Sequence, residues 1–429
     1  YFAMEEGAVL DGDISNNSGS LVIGSDLSGV TGLIENFSAV AIVDGYNYVN
    51  TGADDAATAM TTVSGTDIHL YDGTLENQED GTISGTVSVV GGATNATIIN
   101  AGTLSGSTGI YVTSTSNISG GINNSGAILA TNGPAIRVRS ESDISGGINN
   151  SKNGIISSTN NAGIYIYNKS DITDGIINDG TISAGKTAAI YIGESSDISG
   201  GITNNEDAII TASNTSNYVR GIHVYGNSDV SGGINNSGDI VTFAKEAILV
   251  ENYSDISGLI TNDGLISAVE NRAIHVKRYS DISGGINNTG TIISVVDDEA
   301  IMVEDYSDIS GGITNSGSLL SDDDDAVYVK DDSDISGGII NSGLIASVGE
   351  SSYAGIRVEN SSDISGEIMN EGTISGGYGI RVEDSSDISG GIYNSGLIAS
   401  TGESGTGIYV YDDSDISGGI MNEGTISGG

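Results

Sequence analysis

Aliphatic and polar positions follow a fixed pattern along most of this chain, arranged each time around the phrase Ser-Asp-Ile-Ser-Gly. In one representative copy the aliphatic positions are Ile256, Ile260, Ile266, Ile274 and Val276. From Ile256 to Ile266 they share one parity, and alternate residues of a β-strand face opposite sides of it. The pattern therefore predicts short strands with one isoleucine-lined side, at Asp-Ile-Ser, at Gly-x-Ile and at Ile-x-Val, with glycines at the corners.

The phrase recurs at an interval that is typical of a solenoid, in which each repeat forms one coil. Asn117 occupies the aspartate position in one copy, and the others carry Asp143, Asp171, Asp197, Asp229, Asp255, Asp281, Asp308, Asp334, Asp363, Asp387 and Asp415. Successive copies lie 24 to 32 residues apart, about 27 on average. We therefore predict an all-β fold, a parallel β-solenoid (β-helix) of about 16 coils (429/27) with three short strands per coil. Neighbouring coils should stack at roughly 4.8 Å.

The regularity of the repeat divides the chain into two parts. Residues 93–429 carry the regular solenoid repeat, whereas residues 1–92 keep it only faintly, for instance at Asp13-Ile14-Ser15. We interpret residues 1–92 as irregular N-terminal coils, or a cap, of the same solenoid. A separate small N-terminal domain is the alternative.

The composition limits the classes of function. The chain has 57 acidic residues against 13 Lys and Arg, a formal charge of −44, which should repel nucleic acid and anionic lipid. It has no cysteine, which excludes disulfides, and no apolar run of 18 residues that could cross a bilayer as a helix. Its 65 glycines and high charge resemble a disordered chain, but the strict placement of the aliphatic residues favours a folded one.

In most repeats an asparagine precedes a glycine by two residues, and it shares the inward parity of the isoleucines. Buried amides at such a position should bond one another and the turn backbone, because a buried polar group without a partner is costly. The sequence therefore predicts a structural asparagine ladder, whose members include Asn124, Asn150, Asn178, Asn236, Asn262, Asn288, Asn315 and Asn341.

The aspartate column poses an electrostatic problem. Carboxylates at roughly 4.8 Å repel by about 0.9 kcal/mol even in bulk water, so something must offset the repulsion. One interpretation is an Asx-type turn, in which each carboxylate accepts nearby backbone N–H groups. The other is a row of Ca²⁺ sites between coils, at Asp255, Asp281, Asp308 and Asp334, although no known calcium motif is present. Ca²⁺ is the one cofactor that the sequence suggests, and a further candidate site for it is the run Asp322, Asp323, Asp324 and Asp325.

The middle residue of Ile-x-Val should point outward, and it varies from coil to coil. It is Tyr111, Arg137, Tyr165, Tyr191, His223, Leu249, His275, Met302, Tyr328, Arg357, Arg381 and Tyr409 in successive copies. The β-propensity of tyrosine explains part of this stripe. A lateral contact face, for a neighbouring molecule or for sugar rings stacking on tyrosine, is the functional alternative.

The phrase Gly-Gly-Ile-Asn-Asn-Ser-Gly-x-Ile, as in Gly120 to Ile128 and Gly232 to Ile240, resembles repeat passenger regions of bacterial autotransporter adhesins. The resemblance covers about residues 93–429. It implies export, a parallel β-helix and a role at the cell surface in adhesion or matrix. We expect no enzymatic activity, because acidic residues repeat everywhere and no unique pair of carboxylates stands out.

The two ends of the chain complete one repeat between them. Joining Gly429 to Tyr1 would place 27 residues between Asp415 and Asp13, which equals the mean period. We therefore expect head-to-tail self-assembly into a surface filament or matrix fibre, with assembly ends at Tyr1, Phe2, Ala3, Ile426 and Gly429. A monomeric adhesin that binds a surface or host glycan is the alternative, and a polysaccharide-active enzyme is a distant third. The expected location is extracellular, at a bacterial surface.

Overall fold

The computed structural model describes residues 67–214, 219–349, 352–403 and 405–429, together with the backbone of eight strands before residue 67. Those eight are β1 (Phe2–Met4), β2 (Ile14–Ser15), β3 (Ser20–Ile23), β4 (Leu27–Val30), β5 (Ile34–Glu35), β6 (Ala39–Ile42), β7 (Tyr48–Asn50) and β8 (Thr62–Ser64). The chain divides into two compact units. Unit 1 comprises residues 1–203 and 208–210, and unit 2 comprises residues 204–207 and 211–429. The predicted boundary near residue 92 stays a prediction.

The remaining strands are short and follow one another at every corner of the coils. Residues 67–212 form β9 (Asp67–Leu70), β10 (Gly73–Asn77), β11 (Thr82–Ser84), β12 (Val87–Val89), β13 (Ala96–Asn100), β14 (Thr103–Gly106), β15 (Ile110–Val112), β16 (Ile122–Asn124), β17 (Ala127–Ala130), β18 (Ile136–Val138), β19 (Ile148–Asn150), β20 (Ile155–Ser158), β21 (Ile164–Tyr167), β22 (Ile176–Asn178), β23 (Thr181–Ala184), β24 (Ala188–Gly193), β25 (Ile202–Asn204) and β26 (Ile209–Ala212).

Residues 220–429 repeat the same order, now with a two-residue strand in each coil. They form β27 (Arg220–Tyr225), β28 (Asp229–Val230), β29 (Ile234–Asn236), β30 (Asp239–Thr242), β31 (Ile248–Glu251), β32 (Asp255–Ile256), β33 (Ile260–Asn262), β34 (Leu265–Ala268), β35 (Ile274–Lys277), β36 (Asp281–Ile282), β37 (Ile286–Asn288), β38 (Thr291–Ser294), β39 (Ile301–Glu304), β40 (Asp308–Ile309), β41 (Ile313–Asn315), β42 (Ser318–Ser321), β43 (Val327–Val329), β44 (Asp334–Ile335), β45 (Ile339–Asn341), β46 (Leu344–Ser347), β47 (Ala354–Val358), β48 (Asp363–Ile364), β49 (Ile368–Asn370), β50 (Thr373–Gly376), β51 (Tyr378–Val382), β52 (Asp387–Ile388), β53 (Ile392–Asn394), β54 (Leu397–Ser400), β55 (Ile408–Val410), β56 (Asp415–Ile416), β57 (Ile420–Asn422) and β58 (Thr425–Ser427).

The fold is an all-β parallel β-solenoid, as the sequence predicts, with three sheets and a smaller fourth. In unit 1, β16 pairs in parallel with β19 and sets Ile122 against Ile148. In unit 2, β35 pairs in the same way with β39 and sets Ile274 against Ile301. Equivalent residues of successive coils therefore lie over one another, in register.

The core is formed by the stacked aliphatic columns inside each coil. In the coil that begins at Asp255 the inward side chains are fully buried, namely Ile256, Ile260, Ile266, Ile274 and Val276. Burying each side chain of this size contributes about 1.5–3 kcal/mol. A single coil has no second layer to cover these side chains, so the columns stabilise the fold only when coils stack.

Two details of the predicted coil differ in the structure. The fold has about 13 turns rather than 16. Each coil of unit 2 also has four strands rather than three, because Ile-x-Asn forms a strand of its own, such as β37. The sequence suggested a corner there, since glycines flank the segment. The real corner is Gly285, whose φ of 83° is accessible mainly to glycine.

A second corner uses two consecutive residues in the left-handed region, where a residue with a Cβ is strained by roughly 1–2 kcal/mol. In three successive coils of unit 2 the second of these residues is Tyr253, Tyr279 or Tyr306, with φ of 62°, 61° and 61°. Bonds between coils offset the strain, because the N–H of Tyr279 donates to the carbonyl of Asp305 at 3.0 Å. The three rings stack face to face at 5.1 Å and nearly parallel, and about half of each tyrosine remains exposed to solvent.

Candidate functional site

The asparagines form a continuous ladder within each unit. Each side-chain Nδ2 donates to Oδ1 of the next asparagine at 2.7–2.8 Å, in unit 1 from Asn124 through Asn150 to Asn178. In unit 2 the ladder includes Asn236, Asn262, Asn288, Asn315 and Asn341. All of these side chains are fully buried, at the ends of the Ile-x-Asn strands.

A parallel ladder of serines was not predicted from the sequence. The serine before each aspartate from Ser142 to Ser386 is buried, and its Oγ accepts the N–H of the equivalent serine one coil earlier. Ser254 donates in this way to Ser280, and Ser280 to Ser307, each at 3.0 Å. Serine beside aspartate usually indicates an exposed turn, so only its invariance across repeats could have revealed this burial.

The aspartate column is bonded between coils rather than within a local turn. Oδ1 of Asp255 accepts the N–H of Asp281 at 2.9 Å, and Oδ1 of Asp281 accepts that of Asp308 at 3.0 Å. Asp308 and Asp334 repeat the contact at 3.0 Å. Partial burial, and to a lesser extent the neighbouring carboxylates, raise the pKa of Asp281 and of Asp334. Backbone N–H groups thus offset part of the predicted repulsion.

The run of four aspartates does not converge on one point. Asp322 and Asp323 are exposed, whereas Asp325 is fully buried and accepts the N–H of Ala354 at 2.5 Å. Burial raises the pKa of Asp325 to about 8, against the opposing charge of Arg357. Burial likewise raises the pKa of Asp324 to about 6.

No group of three or more acidic or histidine residues that could hold a metal ion occurs in the part of the chain that the structure describes. The structure gives the carboxylates of the aspartate column another partner, the backbone N–H of the next coil. Calcium binding at Asp255, Asp281, Asp308, Asp334 and the four-aspartate run stays a prediction.

The outward face of the Ile-x-Val strands is largely covered by ion pairs in unit 2. Acidic and basic side chains alternate along the columns that flank the middle position. Arg220 binds Glu246 at 2.9 Å, Arg272 binds Glu299 at 2.8 Å and Lys330 binds Glu304 at 3.2 Å. The middle residues His223, Leu249, His275, Met302 and Tyr328 consequently lie buried beneath these long side chains. The expected contact stripe is therefore closed along this part of unit 2.

The ion pairs of this face keep its buried glutamates ionised, because neighbouring cations lower their pKa values. Burial alone would raise the pKa of Glu304, but the hydrogen bond and charge of His275, with the charge of Lys330, lower it to about 2. Burial would also raise the pKa of Glu246, yet His275 and Arg220 hold it far below its usual value. These carboxylates are charged at neutral pH and serve as counter-ions for the few cations of the chain.

The same face of unit 1 is built differently. Arg137 lies in β18, and Arg139 directly follows this strand. Both donate to the phenol oxygen of Tyr167, Arg137 at 2.5 Å and Arg139 at 3.1 Å. Tyr165 stacks on Tyr191 at 4.4 Å and meets Tyr167 edge to face. Arg137, Tyr165 and Tyr167 border an open groove of about 570 Å³, whose other wall is the loop that precedes each Ile-x-Val strand.

The expected assembly ends are only partly described. Tyr1 and the side chains of Phe2 and Ala3 lie outside the described residues. Ile426 lies in β58 and pairs with Ile398 of the previous coil, and the N–H of Gly429 donates to the carbonyl of Gly405 at 2.9 Å. Head-to-tail joining stays a prediction.

Comparisons with known proteins gave no match to a family model, to a curated protein or to a solved structure. Within the described residues, no helix has the length and apolarity needed to traverse a lipid bilayer.

Proposed function

We propose that this chain is a non-enzymatic, extracellular structural protein whose coils stack on those of further copies to form a surface filament or matrix fibre. The observation that carries the proposal is that coil-to-coil contacts are made by groups that every repeat supplies. A fibre needs a contact that can be repeated without limit, and this contact already repeats within the chain.

One interface between coils illustrates the repeated contacts. Between the coils of Asp281 and Asp308, an amide bond joins Asn288 to Asn315, and the N–H of Ser280 donates to Ser307. Asp308 donates its N–H to Asp281. The other contacts are in-register backbone pairing and stacked aliphatic side chains. None depends on a residue peculiar to one coil, so coils of two molecules could pair in the same way.

Sedimentation velocity and negative-stain electron microscopy of the purified chain over a range of concentrations test the proposal. We expect polymers that grow in length with concentration, and sonicated fragments should seed growth below the concentration at which polymers form spontaneously. Particles that keep the single-chain mass of 43.4 kDa at every concentration, with or without seeds, would overturn it.

A second candidate function, a monomeric adhesin that binds a glycan, is favoured by the groove in unit 1. There the outward face carries unpaired guanidinium donors and tyrosines instead of ion pairs. Amide, hydroxyl, aromatic and guanidinium groups along an open groove are the groups that recognise sugars.

A further inference from the structure

Arg137 and Arg139 have no carboxylate as an ion-pair partner among the described residues, although the chain has a net charge of −44. Both guanidinium groups donate to the same neutral oxygen, that of Tyr167. Two like charges around one phenol repel each other, and a guanidinium offers five N–H donors. Donors of this pair are therefore available to an anionic ligand.

Unit 2 provides the comparison within the same molecule. Arg381 occupies the same position of its coil as Arg137 and also lies over tyrosine rings, at 5.1 Å from Tyr378. Its guanidinium, however, binds Glu383 at 2.8 Å. Arg357, one coil earlier, binds the same carboxylate at 2.8 Å. On the outward face, these arginines of unit 2 therefore pair with carboxylates, whereas Arg137 and Arg139 of unit 1 donate to a phenol.

The groove beside Arg137 has the size and lining of a saccharide site. Its volume of about 570 Å³ falls in the range of small-molecule sites. Asn132 and Asn161 line the loop side with amides, and Tyr165 and Tyr167 line the other side. Residues of four successive coils contribute, so the groove runs along the stacking direction and could accept several sugar units.

The stacked tyrosines of unit 2 are a weaker candidate for sugar binding. Sugar rings pack on the faces of aromatic rings, and the faces within the stack of Tyr253, Tyr279 and Tyr306 are covered by one another at 5.1 Å. Among the residues that the structure describes, only the groove in unit 1 combines aromatic side chains with a guanidinium group that has no carboxylate partner.

We propose that the groove of unit 1 binds an acidic saccharide, whose carboxylate or sulfate group pairs with Arg137, beside the guanidinium of Arg139, while its hydroxyls bond Asn132 and Asn161. The proposal rests on the second candidate function, glycan binding, and is independent of fibre formation. An arginine fork matches the geometry of either anion, and the charge-assisted bonds are stronger than those of a neutral sugar.

Calorimetric titration of the whole chain with trigalacturonate, at a protein concentration where sedimentation shows single molecules, tests the proposal. We expect binding that weakens roughly 10- to 100-fold in Arg137→Gln, the effect of losing a charged hydrogen bond. Arg137→Lys should lie between the two, since it keeps the charge but loses the fork. Arg381→Gln is the matched control and should bind as the unaltered chain does.

Two further ligands identify the chemistry. Fully methyl-esterified trigalacturonate should bind much more weakly, and a sulfated trisaccharide distinguishes sulfate from carboxylate as the preferred anion. Absence of binding to both acidic sugars would overturn the proposal. So would equal affinity for the neutral ester, or equal weakening by Arg381→Gln. Circular dichroism of each variant ensures that a loss of binding is not a loss of fold.

Discussion

The asparagine ladder offers the sharpest test of how the coils hold together, because adjacent residues of one strand provide the variant and its control. Asn288 is fully buried in β37 and donates to Asn315 at 2.7 Å, to the carbonyl of Gly290 at 3.2 Å and to that of Ser318 at 3.1 Å. Asn287 precedes it, faces outward and makes no side-chain hydrogen bond among the described residues. The two substitutions Asn288→Ala and Asn287→Ala remove the same atoms from opposite faces.

The expected cost follows from the bonds that disappear. Oδ1 of Asn315 loses its donor and stays buried, which costs about 1–3 kcal/mol. Nδ2 of Asn262 loses one of three acceptors, and the vacated space adds a smaller cavity term. We expect about 3 kcal/mol of local destabilisation for Asn288→Ala. Asn287→Ala should change stability by less than about 0.5 kcal/mol, as surface substitutions do.

Native-state hydrogen exchange is the appropriate assay, because stacked coils open locally and need not unfold in one step. Amides in the coils on either side of Asn288 should exchange on the order of 100-fold faster in Asn288→Ala than in the unaltered chain. Amides several coils away should be unaffected. Equal exchange in Asn288→Ala and Asn287→Ala would refute the assignment of the ladder as a stabilising element.

Three further outcomes are expected. Asp281→Asn keeps the acceptor for the N–H of the next coil but removes one charge, so it should raise the denaturation midpoint slightly at neutral pH. EDTA should change neither the stability nor the assembly of the chain. Destabilisation by the substitution or by EDTA would favour the calcium hypothesis. Burial raises the pKa of Asp325 from 3.8 to about 8, so the folded state holds its proton more tightly than the unfolded state, and this contribution to stability is lost as pH rises from about 4 to 8. The difference in unfolding free energy between Asp325→Asn and the unaltered chain should therefore grow across that range, and a constant difference would contradict the raised pKa. In denaturant unfolding, Gly285→Ala should destabilise the chain more than Gly92→Ala does. Both glycines have a positive φ, but only a Cβ at position 285 would contact a carbonyl, that of Gly312 at 2.6 Å. Equal losses of stability would show that backbone conformation alone determines the cost.

Periodicity alone determined the architecture of this protein. The isoleucines at Ile256 and Ile282 recur with their glycines at a spacing that only stacked coils can satisfy, and the structure pairs them directly. The parity of Asn288 indicated that its amide points inward. These features could be predicted from the sequence because every coil buries the same residue types at equivalent positions of the repeat.

The contacts between side chains of neighbouring coils could be learned only from the tertiary structure. The sequence around Ser280 suggests a surface residue, and only the stacked coils show that its hydroxyl is buried and accepts the N–H of Ser254 from the preceding coil. Arg137 and Arg381 occupy the same position of the repeat, yet one meets only tyrosines and the other a carboxylate. Which side chains meet on the outward face depends on neighbours 24 to 32 residues away, through side-chain lengths and rotamers that no local pattern encodes. The sequence thus specified the coil, and coil-to-coil packing decided where the charges are paired and where they are left open.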